Sequence, residues 1–101
     1  MKIDFGQPIT DLDNRPIVDT DGPMTLAAAA VFVLMRCGGD YRTQEKGIEL
    51  AIKIKTANTS PLDLTLEEVA ALQSQIKQSQ LAALVKVRAV RLLEAAGNGG
   101  Q

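Results

Sequence analysis

The chain has no histidine and no tryptophan, a single cysteine and three aromatic residues, and each shortage closes off a class of function. Without histidine it lacks the commonest general base, the usual metal ligand and the side chain that titrates near neutral pH. One cysteine, Cys37, allows neither an internal disulfide nor a paired-cysteine metal or redox site. With no histidine to activate it and an apolar helix ahead of it, Cys37 reads as a small buried hydrophobe rather than a nucleophile. Phe5, Phe32 and Tyr41 are too few to build a stacking platform for bases or sugars. A net charge of −1 supplies no overall field to hold nucleic acid or an anionic membrane. The longest apolar run, 26–35, is about half a bilayer span. Met1-Lys2-Ile3-Asp4-Phe5 places an acid where a signal peptide needs its apolar core, so the expected location is the cytoplasm of the producing cell.

What is present describes one folded unit. A hydrophobic content of 46% in 101 residues is ordinary for a single domain and enough for a modest core. The expected organisation is one domain over 1–96, with a β-hairpin arm at 1–21, a helical part at 25–96 and a flexible tail at 97–101. The expected fold class is α+β, mainly α: an N-terminal β-hairpin followed by four helices at about 25–37, 41–57, 65–78 and 80–96.

The C-terminal half carries the strongest local signals. Thr65-Leu66-Glu67-Glu68 is a capping box: the Thr65 hydroxyl accepts from the Glu68 amide while the Glu68 carboxylate accepts from the Thr65 amide. Leu64 is placed to staple against Val69. Leu66, Val69, Ala70, Leu72, Gln73 and Ile76 recur at helical spacing and predict the buried stripe. A single helix continuing to residue 96 would be about twice the usual length, so a break is expected at Ser79, with Ser79 capping the next helix. That last helix is apolar on more than one side. Leu81, Val85, Ala89 and Leu92 form one line, and Val87 and Val90 fall elsewhere on its surface. Such a helix is either central or shared with another chain. In a chain this small the shared reading is preferred, and Leu84, Val87, Arg88, Val90 and Arg91 are its expected interface. Arg88, beside the apolar line, needs a partner or an escape to solvent.

Upstream, Ile3, Phe5 and Ile9 alternate with polar residues, and Ile17 and Val18 resume after Asp13-Asn14, where asparagine tolerates positive φ. This predicts a hairpin of 2–12 against 16–19, with Pro16 restricting the second strand to an edge. Asp11, Asp13, Asp19 and Asp21 lack calcium-loop spacing and its terminal glutamate, which leaves them turn and cap duty. Asp19-Thr20-Asp21-Gly22-Pro23 is a second turn. Thr25 is the expected cap of an alanine-rich helix over 26–36, stopped by Gly38-Gly39. Asp40 or Thr43 caps the next, whose expected stripe is Ile48, Ala51 and Ile52, widened by Leu50 and Ile54. Glu49-Lys53 is a favourable i,i+4 pair, and Lys46, Lys53 and Lys55 read as a solvated face. Asn58-Thr59-Ser60-Pro61 is a loop.

These motifs in this order resemble a set of small proteins encoded by tailed bacteriophages and prophages. The resemblance rests on Asp11-Leu12-Asp13-Asn14-Arg15-Pro16-Ile17, Thr25-Leu26, Ala51-Ile52-Lys53-Ile54, Leu64-Thr65-Leu66-Glu67-Glu68-Val69 and Arg91-Leu92-Leu93-Glu94. It covers most of the chain, with Asn14 where those proteins have a turn glycine. It implies phage origin and a protein–protein role, and it transfers no catalytic residue. Three function classes follow. The first is a non-enzymatic interaction or assembly protein. Its partners would be itself, as a homo-oligomer through the last helix, and a phage or host protein, in the host cytoplasm or on the virion. The second is a nucleic-acid-binding regulator using 65–78 and 80–96 as a helix-turn-helix, with Lys86, Arg88 and Arg91 toward phosphate or base edges. The third is an enzyme, or a host-defence antagonist that sequesters a small nucleotide, with Arg88 and Arg91 meeting across subunits. The first is preferred; no catalytic, cofactor or metal residue is assigned, and neither nucleic acid nor a membrane is an expected partner.

Overall fold

The computed structural model describes residues 2–19, 22–57 and 61–98. The elements run β1 (Lys2–Ile3), β2 (Val18–Asp19), β3 (Gly22–Pro23), α1 (Leu26–Leu34), α2 (Tyr41–Ala57), β4 (Leu62–Asp63), α3 (Leu66–Gln78) and α4 (Ala83–Asn98). The class is α+β and mainly α, with four helices and short antiparallel strand pairs among the described residues.

α1 is the hub. It packs against α2, α3 and α4, and it buries Leu26, Ala29, Ala30, Val33 and Leu34. Its alanines let neighbouring backbones come close. A helix whose first turn is buried must find acceptors for its leading N–H groups. Leu26 donates to the Gln7 carbonyl at 3.0 Å, Ala27 to the Phe5 carbonyl at 2.8 Å and Ala28 to Thr25 Oγ at 3.1 Å. The N-terminal segment is thereby stitched to α1, and its Ile3, Phe5 and Ile9 enter the core.

This placement corrects the hairpin expected at 2–12 against 16–19. Only its tip forms: Thr10 bridges Pro16, and Ile17 donates to the Ile9 carbonyl. β1 pairs instead with β4, Lys2 opposite Asp63 and Ile3 opposite Leu62, while β2 pairs with β3. Pro8 has no N–H for a continuous ladder, and the pairing across some sixty intervening residues leaves no local pattern to read. At the tip, Asp11 Oδ1 accepts from Asp13 N at 2.8 Å and Arg15 N at 3.0 Å, and Asn14 takes the left-handed conformation at φ 62°. Thr20 and Asp21 of the second turn, 58–60 of the later loop and 99–101 of the tail lie outside the described residues.

The caps follow the sequence closely. Thr25 caps α1, Asp40 Oδ1 accepts from Thr43 N at 2.9 Å to cap α2, and both hydrogen bonds of the Thr65–Glu68 capping box are present. The break after α3 is where it was expected, but Ser79 closes α3 by donating from its hydroxyl to the Ile76 carbonyl at 2.6 Å. α4 begins later, at Ala83, and carries on through Gly97.

Two buried stripes differ from expectation. α2 buries Gly47, Leu50, Ala51 and Ile54, while Ile48 and Ile52 face solvent. The cause is Gly47: a Cβ there would lie 2.8 Å from Cys37 Sγ and 3.5 Å from the Leu34 carbonyl oxygen. Its missing side chain brings α2 onto the end of α1 and turns that line inward. In α3 the buried line is Val69, Leu72 and Ile76. Leu66 and Ala70 lie on its flank, beyond the surface that α1 and α4 cover, and are exposed. Glu49 does not pair with Lys53; Lys53 reaches Glu68 across to α3 at 3.4 Å.

Gly47→Val should lower stability by about 1–3 kcal/mol through overpacking against Cys37 and Leu34. Cys37→Ala in the same chain should recover part of that loss, because it removes the nearest clashing atom. Urea denaturation of the four members of the cycle checks this; additive losses would mean that Gly47 is not set by the α1 contact.

Candidate interaction surfaces

α4 was the expected interface, and the fold absorbs most of it. Val85, Ala89, Val90 and Leu93 are buried, with Leu81, Leu92 and Ala96 packed against the same core. Val90, 8% exposed, therefore belongs to the chain's own interior and is withdrawn from the expected surface. Leu84 is half-buried, Val87 is 48% exposed and Arg91 is exposed. Arg88 is partly buried and its Nη2 donates to the Asp11 carbonyl at 3.1 Å, which satisfies the charge without a carboxylate and ties α4 to the hairpin tip. The five residues thus split into one core side chain, one structural tie and three surface or rim positions.

Two other features stand out. The first is a groove of about 600 Å³ between α2 and α3, floored by Leu34, Cys37 and Leu50. Its rim is charged in both signs: Lys46, Glu49 and Lys53 come from α2, and Glu67 and Glu68 from α3. Lys53 and Glu68 bridge it. Thr65 N–H donation holds the Glu68 carboxyl below its ordinary value of 4.5, and Lys53 adds to the effect. Mixed charge over a small apolar floor selects no one ligand class. Among the described residues no cluster of histidine, cysteine, aspartate or glutamate is arranged to hold a metal ion, and no helix is long and apolar enough to cross a membrane.

The second feature is apolar surface on α1 and α2. Tyr41, Ile48 and Ile52 are 77%, 41% and 60% exposed and lie along one line of α2. Phe32 of α1 and Met35 at its C-cap are also exposed, and the Arg36 guanidinium stacks 4.0 Å above the Phe32 ring. The sequence held a signal for the α2 line. Two apolar lines share that helix, and only one can face α1. Apolar spacing alone does not say which of the two that is.

Comparison of the chain with protein-family models, curated proteins and solved structures finds no match.

Glu68 sets a pH dependence. Its carboxyl ionises more readily in the fold than in the unfolded chain, so its contribution is fully present above 4.5 and is lost as pH falls through that value toward the folded pKa. Asp40, lowered from 3.8 chiefly by the Thr43 backbone N–H, acts in the same direction. Denaturation midpoints at pH 6 and pH 3 should show wild type losing more stability than Glu68→Gln. Equal losses would remove Glu68 from the account.

Proposed function

We propose that the chain is a non-enzymatic protein–protein interaction or assembly protein of bacteriophage origin. It works in the host cytoplasm or on the virion, through association with itself and with a phage or host protein. The observation that carries this reading is the apolar line Tyr41, Ile48 and Ile52, left in solvent beside a core that is already closed. Desolvating such side chains against a partner is favourable, and isolated exposed residues would not line up along one helix face. The resemblance of the turn, cap and helix motifs to small phage proteins supports the origin. The absence of histidine supports a role without acid–base chemistry.

The nucleic-acid reading has less to draw on. Of Lys86, Arg88 and Arg91, Arg88 already serves the Asp11 carbonyl and Lys86 is half-buried, which leaves Arg91 as the exposed cation. One phosphate contact is a small electrostatic footprint.

Labelled protein should elute from size exclusion in an extract of the producing cells as a complex well above its own 10.8 kDa. The double variant Ile48→Glu, Ile52→Glu changes only exposed positions and should elute as the free chain with an unaltered thermal melt. Elution of wild type as a free chain in both buffer and extract would overturn the reading.

A further inference from the structure

Tyr41, Glu45, Ile48, Ile52 and Lys55 are all exposed on α2, and their spacings alternate four, three, four, three. That alternation is the seam of a coiled coil, in which two helices meet along positions repeating every 3.5 residues on average. Four of the five seam positions have a further symmetry. Ile48 and Ile52 lie two residues either side of Leu50, and Glu45 and Lys55 lie five residues either side of it. Neither Glu45 nor Lys55 has an ion-pair partner among the described residues.

We infer that α2 pairs antiparallel with α2 of a second copy of this chain, about a two-fold axis level with Leu50. This rests on the interaction reading above and names the partner at that surface. In an antiparallel pair, residues equidistant from the axis face each other, so Ile48 meets the partner's Ile52 and Glu45 meets the partner's Lys55. Each contact occurs twice, as an isologous interface requires. Two apolar layers form the centre and two opposite-charge layers flank them. A parallel arrangement would set Glu45 on the partner's Glu45 and Lys55 on the partner's Lys55, and like charges disfavour it. The charge order along the helix therefore chooses both the partner and the direction. The buried side of α2, through Gly47, Leu50, Ala51 and Ile54, stays on the chain's own core, so pairing requires no unfolding. The seam is short, and a short interface makes a concentration-dependent dimer rather than a permanent one.

Sedimentation equilibrium over a wide range of protein concentration tests this. Wild type should rise from the 10.8 kDa of one chain toward twice that mass. Glu45→Lys alone sets lysine against lysine at both flanks, and Lys55→Glu alone sets glutamate against glutamate. Each should weaken dimerisation by about tenfold or more, with the thermal melt unchanged because both positions are exposed. The double reversal Glu45→Lys, Lys55→Glu restores opposite charges and should recover the dimer. A wild type that remains monomeric at every concentration overturns the inference, as do single reversals without effect or a double reversal that fails to recover. A monomer in buffer that joins a larger complex in cell extract removes the second copy as partner and leaves the interaction reading standing. A free chain in both removes the two together.

Discussion

The structure depends on covering α1. Its nine residues, Leu-Ala-Ala-Ala-Ala-Val-Phe-Val-Leu, hold no charge and no side chain that can bond to water, so a helix formed from them must be enclosed by others. Three helices pack on it. The carbonyls of Phe5 and Gln7 accept from its first turn, which removes the penalty of burying free amides there. The N-terminal segment is held by those hydrogen bonds together with the apolar contacts of Ile3, Phe5 and Ile9.

Other features follow from that demand. α2 and α3 both lean on α1, and the groove runs between them with Leu34 at its floor. Gly47 allows α2 to approach α1 closely, and the approach determines which of two apolar lines is buried. α4 closes the remaining side and, in doing so, hides surface that would otherwise have been available to a partner. Arg88 finds an acceptor in a turn on a distant part of the chain. Exposed apolar surface is left on the face of α2 turned away from the hub, and the proposed association is the use of that remainder.

Local chemistry made some elements legible. The three caps at Thr25, Asp40 and Thr65 each depend on one side chain reaching an amide three residues on; Thr25 and Thr65 sit where the residues predicted, and Asp40 is one of the two caps the sequence offered for α2. Asn14 takes positive φ because its side chain tolerates it at little cost. The interface was less legible. Counting apolar residues on α4 measured how much surface needed cover, and it could not measure how much the same chain would supply. Val90 is the example: surplus by count, interior by packing.

By itself the sequence determined the starts of α1, α2 and α3, the turn at Asp13-Asn14, the break at Ser79 and the α+β, mainly α class. Each follows from interactions spanning a few residues or from the period of apolar side chains along one segment. Only the tertiary structure decided that β1 joins β4, that Lys53 reaches Glu68, that Arg88 serves the Asp11 carbonyl and that Gly47 turns Ile48 and Ile52 outward. Those outcomes come from segments far apart in the chain competing for the surface of α1. The winner of that competition depends on close approach and shape, which no single stretch of residues contains.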